Sequence, residues 1–186
     1  MNATIGQKPW RRADVIAFWA GLIIYTLLIF SRRTLLVANN AAAIWPAAGV
    51  MAAVYLLTPR KAWKWVLLVA IGEDIVTNAM FGFSVRSLLS IPESILLAFL
   101  ARKTCPSSLN FADPRTLTQF VLKAAAPACV ASAAICYVLL KLTGGHSTVT
   151  TALSWLTGHM LGATIAVPTM VTLLRPRRYR VFDHPA

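Results

Sequence analysis

Six polar side chains suited to ligand binding or proton transfer interrupt otherwise apolar stretches of the chain: Glu73, Asp74, Asn78, Arg86, Glu93 and His159. A charge at membrane depth costs free energy, so such side chains usually pair with one another, conduct protons or bind a ligand. Asp74 and Asn78 are four residues apart and share one face of a helix. Arg86 and Glu93 are seven residues apart and also share a face. These residue types predict a site for a small polar ligand or for protons.

The positions of three of these groups along their helices place them at a similar depth. With a rise of about 1.5 Å per residue, Glu73 lies about 12 Å, Glu93 about 10 Å and His159 about 16 Å from the outer end of its apolar run. Unrelated structural residues would have no reason to share a depth, so we expect a ligand-lined cavity that opens to the outside. The alternative is that the carboxylates bond to Arg86 or to backbone groups and hold the helices together, and both arrangements can coexist. A transmembrane proton relay would need ionisable groups in the inner half, which has almost none.

Two tryptophans, Trp45 and Trp155, lie near these polar residues and are candidates to line the same cavity. Trp155 and His159 are one helical turn apart and share a face. We expect that face to meet the polar residues of two other apolar runs, at 62–81 and 86–101. His159 would then lie beside one of their carboxylates and respond to outside pH. The alternative is a core histidine that is bonded to a single backbone carbonyl.

Motifs for catalysis and for cofactor binding are absent from the sequence. It contains no phosphate-binding P-loop, no G-x-S-x-G and no H-E-x-x-H. Metal-ligand spacing is absent too, and a bis-histidine haem would lack a second intramembrane ligand beside His159. Cys129 and Cys136 lie about 10 Å apart along one helix, too far for a disulfide, and are expected to be small buried residues. We therefore expect a protein without enzymatic turnover, cofactor or metal.

Composition places these residues in a membrane protein. The chain has 186 residues and a net charge of +12, with 58% apolar and 13% charged residues. Soluble proteins carry about 25% charged residues, so a soluble domain is excluded. A nucleic-acid partner is excluded because no polar surface remains to present a basic patch. The expected partner is the lipid bilayer, with basic residues in cytoplasmic loops.

Six apolar runs predict an all-α integral membrane protein, a bundle of six transmembrane helices. The runs are residues 14–31, one within 34–59, 62–81, 86–101, 118–140 and 148–174. Residues 102–117 are polar, contain two prolines and predict a loop, with a short surface helix within it as the alternative. The chain therefore divides into a cytoplasmic segment at 1–13, a membrane domain at 14–174 and a basic cytoplasmic tail at 175–186.

The distribution of basic residues predicts the orientation. With the N-terminus inside, fourteen of the eighteen Lys and Arg residues lie inside, and the four that lie outside are Arg32, Arg33, Arg86 and Lys141. Both termini are therefore expected in the cytoplasm.

Prolines and small residues predict kinks and close packing. Proline is favoured in the first turn of a helix and disrupts its interior. The second span should therefore begin or bend near Pro46, followed by close packing at Gly49. Pro92 predicts a kink in the fourth span, and Pro127 lies in an alanine-rich stretch suited to packing.

The order of several motifs is similar to that of a known family. The motifs are Ile44-Trp45-Pro46-Ala47-Ala48-Gly49-Val50, Asn78, Glu93, Phe111-Ala112-Asp113 and Trp155-x3-His159-x2-Gly162-x5-Pro168. Over residues 14–174 the chain resembles the membrane-associated sensor domain of the first type, the MASE family. The resemblance adds Gly162 and Pro168 to the packing or kink candidates. It departs at His159, where the family usually has an acidic residue.

The resemblance implies a bacterial inner-membrane sensory module that perceives a small ligand or membrane signal. Such modules usually precede a diguanylate cyclase, a cyclic di-GMP phosphodiesterase or a histidine kinase in the same polypeptide. We expect this output domain either in a longer protein or as a separate partner, with a homodimer as the working state. The alternative function is a six-span substrate-binding subunit of a small-molecule or vitamin importer, which also has an outward polar cavity.

The charge asymmetry makes the topology testable. A reporter that works only in the cytoplasm should be active when it is fused after Leu174. Activity there of a reporter that works only outside the cytoplasm would contradict the predicted orientation.

Overall fold

The computed structural model describes residues 12–30, 36–37, 41–42, 45–81, 85–105, 109–142 and 149–174. Within these ranges the chain forms six α-helices: α1 (Arg12–Phe30), α2 (Pro46–Leu57), α3 (Trp63–Phe81), α4 (Val85–Thr104), α5 (Pro114–Leu142) and α6 (Val149–Leu174). A two-residue antiparallel ladder joins β1 (Leu36–Val37) to β2 (Ala41–Ala42). A 3-10 turn at Arg60–Ala62 leads directly into α3. Apart from the small ladder, the predicted all-helical architecture is confirmed.

The fifth helix begins inside the segment predicted to be a loop. α4 continues to Thr104 and α5 starts at Pro114. The prediction of a loop over residues 102–117 is therefore wrong at both ends of that range. The cause is the N-cap of α5, where the carboxylate of Asp113 accepts hydrogen bonds from the backbone N–H groups of Arg115 and Thr116, both at 3.2 Å. Pro114 follows in the first turn, where its missing N–H costs nothing.

The Asp113 cap is exposed, and its strength depends on pH. The Thr116 hydroxyl donates to Oδ2 at 2.8 Å, and this bond with the two backbone donors holds the pKa of Asp113 below its usual range. A lowered pKa means that the folded state favours the ionised carboxylate. The stabilisation is therefore present at neutral pH and is lost as pH falls through the lowered value.

The three prolines inside helices have different surroundings. Pro127 follows a π-helical segment at Val121–Ala125, where the Ala126 N–H bonds to the carbonyl of Val121. Proline lacks an N–H and crowds the carbonyl four residues earlier, and the wider turn relieves that crowding. Pro92 lies inside α4 and Pro168 inside α6, and both helices continue past them.

The short helix α2 lies at the centre of the molecule. Every residue from Ala47 to Leu57 is buried, and α2 packs against α1, α4 and α6. Its twelve residues span about 18 Å, less than the roughly 30 Å of a bilayer core. The predicted start at Pro46 is confirmed, with Trp45 as the N-cap residue.

Glycines bring α2 and α6 into backbone contact. The Trp45 N–H donates to the carbonyl of Gly158 at 3.0 Å. A Cβ on Gly162 would lie 2.2 Å from the carbonyl oxygen of Trp45, and one on Gly49 would lie 2.9 Å from the Cα of Ala163. Gly158 and Gly162 form the small-x3-small pattern that lets membrane helices approach closely. The two helices can meet at this distance only because Gly49 and Gly162 lack side chains.

The opposite end of α2 is held by Arg102 of α4. Its Nη2 donates to the carbonyl oxygens of Tyr55 at 2.8 Å, Leu56 at 3.1 Å and Thr58 at 2.6 Å. Its guanidinium also lies 5.1 Å from the centre of the Trp63 ring. A cation at the C-terminal carbonyls of a helix is favourable, because these groups lack partners within the helix.

Two of the six helices, α5 and α6, are long and apolar enough to cross a membrane. Shorter apolar helical stretches occupy Phe18–Ile29 and Pro46–Leu57. Large apolar side chains such as those of Trp19, Ile23 and Leu27 on α1 are exposed. An exposed apolar face of this kind suits contact with lipid. Six membrane crossings, with both termini inside, stay a prediction.

The contact between Gly162 and Trp45 predicts a strong effect of one methyl group. Gly162→Ala should destabilise the fold by about 1–3 kcal/mol, because the added Cβ meets backbone that cannot move aside without shifting α2. Thermal unfolding in detergent would measure this change.

A matched control is Gly72→Ala on α3, where a Cβ would meet no atom within 4 Å. That substitution should be neutral or stabilise by about 0.5–1 kcal/mol, because alanine restricts the unfolded chain. Equal effects of the two substitutions would show that α2 and α6 do not pack at this distance.

Candidate signal-sensing site

A buried carboxylate–imidazole pair joins α4 to α6. His159 Nδ1 lies 2.9 Å from Glu93 Oε1, and the two side chains are 5% and 0% exposed. Each group needs a hydrogen-bond partner when it is buried, because lipid cannot supply one. The predicted contact between His159 and a carboxylate is confirmed, and the carboxylate is that of Glu93.

Three further side chains complete what we call the Glu93–His159 cluster. The Cys129 thiol donates to Glu93 Oε1 at 3.6 Å. The Trp155 ring stacks on His159, with centroids 4.1 Å apart and planes 20° apart, and its Nε1–H donates to the Ser132 hydroxyl at 3.1 Å. The cluster therefore links α4, α5 and α6 through polar groups.

One oxygen of the cluster lacks a donor among the residues that the structure describes. Glu93 Oε2 is buried and makes no hydrogen bond to any of them, whereas Oε1 contacts both the imidazole and the thiol. A buried acceptor without a donor is costly, so it is a favourable place for a proton, a water molecule or a donor group of a ligand. Oε1 of the Glu93 carboxylate therefore has two polar partners, whereas Oε2 can still accept a hydrogen bond.

The cluster is also connected to the central helix α2. Ser94, which follows Glu93, donates to the carbonyl of Ala48 at 3.0 Å and to that of Ser90 at 2.6 Å. On α6, the carbonyl that accepts from Trp45 belongs to Gly158, immediately before His159. A residue adjacent in sequence to each member of the Glu93–His159 pair therefore hydrogen-bonds to α2 or to its N-cap residue.

The polar residues of α3 form a separate group. The Thr26 hydroxyl of α1 donates to Glu73 Oε1, and Asn78 Nδ2 donates to Asp74 Oδ2 at 2.9 Å. The Thr77 hydroxyl donates a hydrogen bond to the backbone carbonyl of Glu73 at 2.6 Å. Asp74 and Asn78 are buried as expected, and Glu73 is half-buried. The expectation that His159 meets the polar residues of both α3 and α4 is confirmed for α4 alone.

A comparison with protein families assigns the chain to a family. The model of the MASE1 family matches residues 15–185 of the chain. The chain belongs to the MASE1 family. No curated protein and no solved structure matched it. MASE1 is a membrane sensory domain, so the resemblance seen in the sequence is confirmed.

Of the other predicted site residues of this MASE1 domain, Trp45 is half-buried and connects α2 to α6 through its backbone. Arg86 belongs to α4, but its side chain lies outside the described residues. The predicted ion pair between Arg86 and a carboxylate therefore stays a prediction.

Sequence reasoning missed the polar contacts of three residues. Cys129 and Ser132 of the Glu93–His159 cluster are predicted from the sequence only as packing residues, and Thr26, which contacts Glu73 in the α3 group, is not predicted as a site residue. Cys129 and Ser132 are three residues apart, so they share a helix face, and that spacing was readable beforehand. Which helix that face meets depends on the order of helices around the bundle, which spacing within one helix does not contain.

The buried pair predicts strong coupling between its members. Glu93→Gln and His159→Gln should each lower thermal stability in detergent, because each leaves the other group without its charged or titratable partner. The double variant should lose less than the sum of the two, with a coupling of about 0.5–3 kcal/mol. Additive losses would contradict the contact. Thr157→Ala, at an exposed position of α6, is the matched control and should have little effect.

Proposed function

We propose that this MASE1 domain is an input module of the bacterial inner membrane in which the Glu93–His159 pair senses a signal from outside. The helix α6 then passes the change to a cytoplasmic output domain. The observation that supports this most directly is the buried contact between His159 Nδ1 and Glu93 Oε1 at 2.9 Å. A protonation change or a competing donor at this pair alters the one polar link between these two side chains.

The position of the pair on α6 supports the relay. Trp155 and His159 lie in the N-terminal half of α6, which runs for 26 residues to Leu174. The basic segment that follows is predicted to be cytoplasmic. A single helix thus extends from the sensing pair to the predicted inner face, and a shift or rotation of α6 changes the position of whatever follows it.

The signal must distinguish two packings of the helices, because a ligand with equal affinity for both shifts nothing. Protons are one class of signal that we propose, because free imidazole changes its charge near neutral pH. A small molecule with a donor group is the other class of signal, and it would bind at Glu93 Oε2, which is buried without a partner.

The output that we propose is cyclic di-GMP turnover or histidine kinase activity, with the output domain in cis or in trans. The input domain itself carries no turnover and holds no cofactor or metal. Output domains of these kinds commonly work as dimers, so the proposed working state is a homodimer with both termini in the cytoplasm.

The test is a fusion of residues 1–186 to a diguanylate cyclase domain, with cyclic di-GMP measured in cells at a series of external pH values. The wild-type fusion should change its output across the series. Allosteric coupling of about 1–3 kcal/mol corresponds to a change of 5- to 150-fold. His159→Gln keeps hydrogen-bonding ability and removes the titrating group, so its output should not vary with pH.

Thr157→Ala serves again as the control and should respond as the wild type does. A pH response in His159→Gln equal to that of the wild type would exclude the pair as the sensor. A fusion whose output is constant in pH, yet changes in Glu93→Gln at every pH, would point to a small-molecule signal at the same pair.

A further inference from the structure

Exposed basic side chains lie at the end of the bundle where α2 and α4 end and where α3 and α5 begin. We call this surface the basic rim, and its members are Arg60, Lys61, Lys64, Lys103 and Arg115. Arg102 joins the helices at this end, because it bonds to the last carbonyls of α2 and lies against the ring of Trp63 at the start of α3. α5 follows shortly after the end of α4 and packs against it.

The positive charge of the basic rim exceeds what the acidic residues of the chain can neutralise. The chain contains six acidic residues in all. Three of them lie inside α3 and α4, about 13 Å or more along the helix from the nearest rim residue on the same helix: Glu73, Asp74 and Glu93. The other three are Asp14, Asp113 and Asp183, against six basic residues when Arg102 is added to the five of the rim. The rim therefore needs anions from outside the chain.

The first turns of α3 direct one tryptophan into the protein and another outwards. Trp63 Nε1 donates to the carbonyl of Tyr55 at 2.9 Å, and the two rings meet with centroids 5.1 Å apart. Trp65 is two residues later, on the opposite side of the helix, and is 56% exposed. Lys64 Nζ lies 5.3 Å from the centre of the Trp65 ring. The inner tryptophan thus fixes the helix that presents Lys64 and Trp65 to the surroundings.

An exposed apolar strip continues from Trp65 along α3. Leu68 lies three residues after Trp65 and Ile75 seven residues after Leu68, so the three share one side of the helix, and each is more than half exposed. In a membrane domain such a strip contacts acyl chains, and tryptophan is enriched at the level of the lipid headgroups. The basic rim therefore begins where the lipid-facing strip ends.

The lysines next to this strip are placed to meet a headgroup together. Lys61 belongs to the 3-10 turn that leads directly into α3, and it precedes Lys64 by three residues, a spacing that puts both on one side of the helix. A soluble anion would need only these charges. A phospholipid also uses the apolar strip on the same helix, which favours lipid over a free anion.

We propose that the basic rim binds the headgroups of anionic phospholipids, with a phosphodiester at Lys61 and Lys64 and the acyl chains along Trp65 and Leu68. This is an equilibrium preference of the folded domain for one class of lipid, whereas the charge rule used for the topology concerns how a chain inserts. The inference goes beyond the proposed function and does not depend on it, since neither Glu93 nor His159 takes part.

The experiment uses the purified full chain in phosphatidylcholine vesicles. An increasing share of the lipid is replaced by brominated phosphatidylglycerol or, in parallel, by brominated phosphatidylcholine. Bromine quenches tryptophan fluorescence on contact, and the difference between the wild type and Trp65→Phe isolates the signal of Trp65. Trp65 should prefer phosphatidylglycerol by about 5- to 25-fold, because each nearby lysine contributes a factor of about five. The preference should fall as the salt concentration rises.

Two variants assign the preference to the basic rim. The double variant Lys61→Gln/Lys64→Gln removes two exposed charges and leaves the buried contacts of Trp63 in place, so it should lose most of the preference at Trp65. The matched control is Lys141→Gln near the far end of α5, where Lys141 Nζ lies 5.8 Å from the Tyr137 ring in a contact of the same kind. That variant should keep the full preference at Trp65.

Three results would overturn the proposal. Equal quenching by the two brominated lipids would mean that the rim does not distinguish headgroups. A preference that survives in Lys61→Gln/Lys64→Gln would place the anionic lipid elsewhere. Displacement of phosphatidylglycerol by inorganic phosphate, beyond that caused by chloride at equal ionic strength, would identify a soluble anion as the ligand. None of these measurements involves the signalling output, so the proposed function is tested separately.

Discussion

The constraint on which the structure depends is that α2 ends inside the protein at both termini. A helix of about 18 Å cannot bring both of its ends to the polar faces of a bilayer, and lipid offers no hydrogen bonds to its terminal groups. The carbonyl of Gly158 and the guanidinium of Arg102 supply those bonds instead. The carbonyl comes from α6 and the guanidinium, with its three hydrogen bonds, from α4, so both ends of the central helix are bonded to the two helices that carry the Glu93–His159 pair.

The polar contact between α4 and α6 holds these helices together, and it is also the contact at which we propose that the signal acts. His159 Nδ1 on α6 lies 2.9 Å from Glu93 Oε1 on α4. A helix contact made by aliphatic side chains would be stable but would not respond to pH or to a polar ligand. The proposed response therefore needs a polar contact inside the bundle, and in this domain that contact lies beside the close approach of α2 and α6 at Gly49 and Gly162.

Much of the fold was readable from the sequence, because runs of apolar residues must be helical in a bilayer. The start of α2 followed from Pro46, and the pairing of His159 with a carboxylate followed from its need for a partner. The start of α5 was missed although Asp113-Pro114 carries a capping signal. The division of the acidic residues into two groups could not be predicted, since spacing along one helix does not reveal which helices are neighbours.

The π-helical segment of α5 has a consequence for how the chain tolerates length changes. A π turn holds one residue more than an α turn, and one residue corresponds to about 100° of rotation around the helix axis. The register of Cys129 towards Glu93 is therefore set by the number of residues in Val121–Ala125. A deletion of one residue there restores a regular helix and turns the thiol away from the carboxylate. The number of residues in a five-residue segment near one end of α5 thus decides which side chains of α5 contact the Glu93–His159 pair.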